Sequence, residues 1–161
     1  MALSMKWILR LSRVIFACVA VCLTGATVNG AQCDVTLHVE PAIEDGRHVL
    51  HIALTNSCAE TLLVYESDLP WGNLDSLMIV IATSRRGSTL PPPLVLDDPG
   101  PTTVALKPGE TVRGTVDLDG RFTTLRNVLR AGEVYVFWSF ELRDTKSRHF
   151  PRQFGGFTIE R

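Results

Sequence analysis

Histidines are the side chains of this sequence most able to bind a metal or transfer a proton. His38 and His51 fall on the same side of two neighbouring predicted strands, and Glu40 could add a carboxylate. A protein metal site normally has three or four ligands, and exposed polar residues on a strand face explain the same pattern. Met78 is the only methionine after residue 30, too few soft ligands for a copper carrier. We therefore expect no metal or cofactor, with His38 and His51 as the only candidate ligands.

One acidic loop could bind calcium, since it contains four hard oxygen donors, Glu66, Asp68, Asn73 and Asp75. Their spacing does not match the D-x-[DN]-x-[DN]-G pattern of a calcium loop. Acidic residues are common in turns, so we interpret this loop as a solvated turn.

Motifs that would indicate an enzyme are missing from the sequence. It contains no G-x-S-x-G, H-E-x-x-H, P-loop or G-x-G-x-x-G pattern. After residue 30 only Cys33 and Cys58 remain, and a disulfide between them would leave no thiol nucleophile. A Ser/His/Asp site stays open, because such triads are defined by geometry and not by order. We predict that the chain is not an enzyme.

The loop around Trp71 is the candidate binding loop, with Asp68, Pro70 and Asn73 beside it. A Trp held on a rigid, proline-containing loop could anchor a protein or a glycan. Alternatively, Trp71 folds back and closes the open end of the domain, because a large apolar side chain usually finds cover.

The first 30 residues have the order of a secretory signal peptide. Lys6, Arg10 and Arg13 precede the apolar run Val14–Leu23, and small residues follow up to Gly30. A helix of that run spans about 15 Å, roughly half of a hydrocarbon core, which argues against a membrane anchor. We expect cleavage after Gly30 or Ala31, or alternatively after Ala26, and export to a periplasm or to the extracellular medium, with no membrane span remaining.

Cleavage there changes charge and cysteine content. It removes three of the 16 basic residues and none of the 17 acidic ones, which takes the net charge from −1 to −4. A mildly acidic domain without a basic patch does not indicate nucleic-acid binding. Two cysteines in an exported protein indicate a disulfide, Cys33–Cys58.

Alternating apolar residues predict strands through residues 31–161, which we interpret as a single domain. Strands over 34–40 and 48–56, joined by the turn Glu44–Gly46, predict a hairpin whose open end the disulfide would clamp. A loop of this length should stabilise the fold by roughly 3–4 kcal/mol in the chain-entropy model. Leu77–Thr83 is apolar on both faces and predicts a central strand, which would place Met78 in the core.

Further strands are predicted over 62–65, 102–106, 111–118, 133–142 and 155–160, with a short helix from Phe122 to Leu129 that ends at Gly132. The turns at 85–87 and 97–101 and the prolines at 91–93 separate some of them. The fold class is all-β, an antiparallel sandwich of about seven to nine strands with one short helix.

Three segments carry a resemblance to a known class: Leu54–Asn56, Glu60–Val64, and the turn Leu106–Thr111 that leads into a strand. Together they resemble the immunoglobulin-like sandwich modules of exported bacterial proteins, and loosely the bacterial intracellular proteinase-inhibitor-type domain. The loop Asp68–Asn73 has no counterpart in that pattern. The resemblance implies the sandwich fold, and no inhibitory residue is carried over from it. From the strand-rich scaffold and the Trp71 loop we predict a non-enzymatic domain that binds a protein or glycan or supports the cell envelope. A protease-inhibitor-like domain and a metal-binding envelope protein are the alternatives.

Overall fold

The computed structural model describes residues 33–83, 87–91 and 102–160. The predicted signal peptide, residues 85 and 86 of the first predicted turn, prolines 92 and 93, and the predicted turn at 97–101 lie outside these residues. The described strands are β1 (Val35–Glu44), β2 (Arg47–Asn56), β3 (Leu62–Tyr65), β4 (Leu77–Thr83), β5 (Thr103–Leu106), β6 (Thr111–Asp117), β7 (Val134–Phe140) and β8 (Gln153–Ile159). Two short helices, α1 (Leu118–Arg121) and α2 (Leu125–Ala131), separate β6 from β7. The predicted all-β class is confirmed.

The strands form three antiparallel sheets. The first has the order β1-β2-β6, the second pairs β3 with β5, and the third has the order β4-β7-β8. Buried residues of all three sheets and of both helices belong to one hydrophobic core. This arrangement is compatible with a β-sandwich.

The first hairpin has the predicted partners. β1 and β2 pair from Val35↔Asn56 at the open end to Glu44↔Arg47 at the turn. At the turn Asp45 and Gly46 both have positive φ. Cys33 and Cys58 form a disulfide across the open end, with their Cα atoms 4.2 Å apart. The predicted disulfide is thus present and clamps this hairpin.

Asn56 connects the end of β2 to two other segments. Its side chain is fully buried, and its Nδ2 donates hydrogen bonds to the carbonyls of Glu60 (2.9 Å) and Leu106 (2.8 Å). Its Oδ1 accepts from the Cys58 amide at 2.9 Å. Because a buried amide is stable only when it is hydrogen-bonded, this residue determines how β2, β3 and β5 meet.

Gln153 joins the third sheet to the first. Its Oε1 accepts from the Leu37 amide at 2.8 Å, and its Nε2 donates to the Val35 carbonyl at 2.9 Å. The side chain of a β8 residue therefore takes the place of a peptide group at the edge of β1. It satisfies backbone groups that an edge strand otherwise leaves unpaired.

The prediction of β4 as a central strand was wrong. Within its sheet β7 is central and β4 is outermost among the described strands. Leu77, Ile79 and Ile81 face the core, but Met78 is 57 % exposed and is not a core residue. A strand with apolar residues on both faces can be buried on both faces, or it can expose one apolar face to solvent. Only the elements packed against the strand decide between these two arrangements.

Candidate functional site

Trp71 packs inward. Its side chain is partly buried against the hydrophobic core, and its ring lies directly on the backbone of Gly114 in β6. A Cβ atom at Gly114 would overlap that ring. Val112 and Val116 flank Gly114 on the same side of β6, so the ring covers an inward-facing position. This placement favours the interpretation in which Trp71 closes one part of the domain.

The other residues of the candidate binding loop are partly or fully buried, and the loop contains an internal hydrogen bond. Pro70 is buried, and Asp68 and Asn73 are partly buried. The Gly72 amide donates to the Leu69 carbonyl at 2.8 Å, which closes a turn that contains Trp71. The role of this loop in binding stays a prediction, with a smaller exposed surface than the sequence indicated.

The histidines considered as metal ligands bind different carboxylates. His38 lies opposite Ala53 and His51 opposite Glu40, so the two histidines are diagonal and not direct neighbours. His38 Nε2 lies 3.9 Å from Glu40 Oε2, and His51 Nε2 lies 3.3 Å from Glu44 Oε1. In residues 33–83, 87–91 and 102–160, no group of three His, Cys, Asp or Glu side chains is placed to hold a metal ion.

Two residues of the acidic loop share a pocket with residues from another part of the chain. Asp68 and Asp75 line a polar pocket of about 240 Å³, and Glu141 of a distant segment joins them there. Arg143 and His149 line the same pocket, so carboxylates and basic side chains share it.

An exposed apolar surface lies on the outer side of the third sheet. We call it the aromatic face, and it comprises Met78 and Val80 of β4, Tyr135 and Phe137 of β7, and Phe154 of β8. Phe137 is 54 % exposed and Phe154 is 80 % exposed. These residues point away from the core because successive side chains of a strand alternate between its two faces.

The centre of the aromatic face is set by strand register. Phe137 lies opposite Val80 of β4 on one side and Gly156 of β8 on the other. A Cβ atom built at Gly156 would lie 3.1 Å from the Phe137 ring, so the missing side chain leaves space for that ring. The register therefore makes the three strands one continuous apolar surface.

One end of the aromatic face is acidic. The Tyr135 hydroxyl donates to Glu133 Oε1 at 2.9 Å, and this hydrogen bond raises the pKa of Tyr135. Glu160 follows Ile159, which pairs with Val134, so Glu160 extends the same side of the sheet next to Glu133.

The opposite end carries basic groups. Glu141 lies 2.7 Å from His149 Nδ1 and 2.8 Å from Arg152 Nη2. The hydrogen bonds from His149 and Arg152 lower the pKa of Glu141 and keep it ionised. Arg143 pairs with His149 across a β-bridge at this end, so three basic residues lie around Glu141, while Asp68 and Asp75 line the adjoining pocket.

Sequence reasoning predicted the strand over 133–142 that carries Tyr135 and Phe137 but did not recognise these two residues as part of a site. The signal was available in two of the three strands, because large apolar residues occupy successive outward positions, Met78 and Val80 in β4 and Tyr135 and Phe137 in β7. Because the sequence analysis predicted β4 as a central strand with Met78 in the core, it did not predict this exposed surface.

No helix among the described residues is long and apolar enough to cross a membrane. No family model matches the chain, and no curated protein matches it.

Proposed function

We propose that this chain is an exported, non-enzymatic, immunoglobulin-like β-sandwich module that binds protein through its aromatic face, and that the protein bound there is a second copy of the chain. The observation that carries the proposal is the contiguous exposed surface of Met78, Val80, Tyr135, Phe137 and Phe154.

The immunoglobulin-like assignment is supported by strand order. In that fold the first two strands share a sheet with a later strand, and the last two strands pair with a middle strand. The orders β1-β2-β6 and β4-β7-β8 follow this scheme. The disulfide departs from it, since Cys33–Cys58 joins the two ends of one hairpin, whereas the bridge of antibody domains joins the two sheets.

Export is supported by the order of residues 1–30 and by the disulfide. Disulfides persist in oxidising compartments outside the cytosol. The sequence-based expectation of a periplasmic or extracellular location agrees with both features.

Protein is favoured as the ligand by the chemistry of the aromatic face. Tyr, Phe and Met are enriched at protein interfaces, whereas charged groups are depleted at their centres. Large side chains have areas of about 150–250 Å² each. With the exposed fractions of the five residues of the aromatic face, they present roughly 500 Å² of apolar surface to solvent. That area is the size of the largest patch on a monomer, which is often functional. A standard interface of about 800 Å² per partner would contain this face at its core and the charged ends at its rim.

A second copy is favoured by the distribution of charge. A two-fold axis that lies in the interface and runs perpendicular to the strands would place the acidic end of one copy over the basic end of the other. Glu133 and Glu160 would then face Arg152 and His149 of the second copy, while Phe137 packs near the axis. The other in-plane axis would bring like charges together, which disfavours it.

Sedimentation equilibrium of the purified, oxidised protein tests the proposal. The wild type should be a dimer at micromolar concentration, and the double variant F137S/F154S should be a monomer with unchanged far-UV circular dichroism. The control is I43S, because Ile43 is 70 % exposed but lies outside the aromatic face. I43S should remain a dimer. A monomeric wild type, or a dimer that survives F137S/F154S, would contradict the proposal.

The charge arrangement has its own test. Glu133→Gln together with Glu160→Gln should weaken the dimer and make its dissociation constant less dependent on salt, because attractive charges are removed. Tighter association of this variant would show that like charges meet and that the axis is wrong.

A further inference from the structure

Arg121 is a buried cation that forms no salt bridge among the described residues. Burial lowers the pKa of its guanidinium, although the negative charge of the nearby Asp75 partly offsets that shift. It ends α1 and is only 8 % exposed. Nη1 donates to the Leu77 carbonyl at 3.1 Å, and Nη2 donates to the Asn73 carbonyl at 3.3 Å. Nε is buried and has no hydrogen-bond partner. Because a guanidinium stays charged in proteins, this burial is costly unless a negative group approaches it.

An apolar pocket of about 420 Å³ opens beside this guanidinium, and we call it the Arg121 pocket. Its walls include Leu74, Leu77, Ile79, Leu90 and Phe122, and Met78 and Val80 of the aromatic face also line it. This volume is within the range of small-molecule sites, which combine apolar walls with a few placed polar groups. The combination suits a ligand that is apolar along its length and anionic at one end.

The edge of β4 forms one wall and offers main-chain hydrogen bonds. The Leu90 amide donates to the Ile81 carbonyl at 2.9 Å, on the side of β4 away from β7. Arg121 donates a hydrogen bond to the Leu77 carbonyl on the same side of β4. Because backbone groups of a strand alternate between its two edges, the N–H and C=O of Ile79 also point to that side. No backbone partner for them lies in the described part of the chain.

We propose that the Arg121 pocket binds the carboxyl-terminal end of an extended, apolar peptide. The α-carboxylate accepts hydrogen bonds from the Arg121 guanidinium, and one peptide residue exchanges main-chain hydrogen bonds with Ile79. Strand addition at a sheet edge supplies affinity in many peptide complexes, while side-chain pockets supply specificity. Among the described residues, Ile79 is the one residue between Leu77 and Ile81 whose backbone groups on this edge have no backbone partner, so the bound segment is short.

Asp75 also lines the pocket and is exposed. The Asp75 carboxylate repels a bound anion, whereas the buried Arg121 guanidinium attracts that anion. The attraction dominates, because charges away from solvent are screened less than exposed ones. Removal of the Asp75 carboxylate should therefore increase the affinity for an anionic ligand.

Isothermal titration calorimetry with acetyl-Leu-Val-Leu tests the proposal on the purified, oxidised protein. The peptide with a free carboxylate should bind, and the same peptide as its C-terminal amide should bind about ten- to hundred-fold more weakly, since a charge-assisted hydrogen bond is lost. Equal affinity of the two peptides, or no binding of either, would overturn the proposal.

Two variants keep the test independent of folding defects. Arg121→Gln should weaken binding of the free acid but not of the amide. Asp75→Asn changes only an exposed side chain and should tighten binding of the free acid by about two- to five-fold. Weaker binding or no change in Asp75→Asn would contradict the placement of the carboxylate.

Two ligand controls separate a peptide from other apolar acids. Decanoate carries the same charge but has no backbone, so it should bind more weakly than the peptide. N-methylation of the central peptide residue should also weaken binding, because it removes a main-chain donor. If decanoate binds as well as the peptide, pairing with Ile79 is wrong. The inference does not depend on self-association. Because Met78 and Val80 line the Arg121 pocket and also belong to the aromatic face, the F137S/F154S monomer should bind the peptide at least as tightly as the wild-type dimer.

Discussion

The bridge that Gln153 makes between β8 and β1 can be tested with an isosteric change. Gln153→Glu keeps the oxygen that accepts from the Leu37 amide but replaces the nitrogen that donates to the Val35 carbonyl. Val35 is 2 % exposed, so water cannot replace the lost donor.

The expected cost follows from these two hydrogen bonds. An unsatisfied buried carbonyl costs about 1–3 kcal/mol, whereas a charged acceptor strengthens the bond from Leu37 by about 1 kcal/mol. Gln153→Glu should therefore lower the free energy of unfolding at neutral pH by about 1–2 kcal/mol. Gln153→Ala loses both bonds and should cost about 3 kcal/mol.

The Glu variant should recover at low pH. A protonated carboxyl can donate to the Val35 carbonyl as the amide does, so the folded state raises the pKa of the introduced Glu above its unfolded value of about 4.3. A group with a raised pKa contributes its full stability below the unfolded pKa and loses it as pH rises through the folded pKa. The gap between variant and wild type should therefore close as pH falls from 7 to below about 4.

Urea unfolding of the oxidised protein at several pH values measures these differences. Asn127→Asp is the matched control, because Asn127 is an exposed amide on α2 and its change to an acid removes no buried donor. If Gln153→Glu is as stable as the wild type at neutral pH, the bridge does not hold the two sheets together. A gap that does not change with pH would refute the role of the missing donor.

Three further changes have defined outcomes. Asn56→Ala removes three hydrogen bonds at a fully buried site and should cost about 3 kcal/mol or more in urea unfolding; a loss below about 1 kcal/mol would contradict the proposed junction. Gly114→Ala should displace Trp71, shift its fluorescence to longer wavelength and cost about 1–3 kcal/mol, whereas unchanged emission would show that the ring does not lie on β6. Burial raises the pKa of Asp144, but hydrogen bonds from the Arg148 and Lys146 amides and from the Arg148 side chain lower it more, so the net shift is downward. Asp144 therefore stabilises the fold above its unfolded pKa of about 3.9 and loses that contribution as pH falls through its lower folded pKa. The Asp144→Asn variant should have a lower free energy of unfolding than the wild type at pH 7, and the two values should converge in acid. A difference that stays constant with pH would count against this shift.

Local chemistry was enough to locate most elements. β3 and β4 have the bounds that alternation and turn residues predict, and β2 and β6 differ from prediction by one residue at an end. The disulfide was predictable because a two-residue turn at Asp45–Gly46 forces the ends of the hairpin together. These features depend on residues that are near each other along the chain.

The candidate sites were less predictable. The strand that carries Tyr135 and Phe137 was predicted, but the continuous apolar surface depends on β4 lying next to β7. The inward position of Trp71 depends on Gly114, a residue of a distant strand whose missing side chain makes room for the ring.

The sequence by itself determined the all-β class, the first hairpin and its disulfide, because alternation and turn chemistry are local properties. Only the tertiary structure decided that Arg121 is buried beside a pocket, that β4 is outermost in its sheet, and that Gln153 joins two sheets. Burial and edge position result from contacts between segments far apart in the chain. A pattern of period two records which side chains share a face, but it does not record what covers that face.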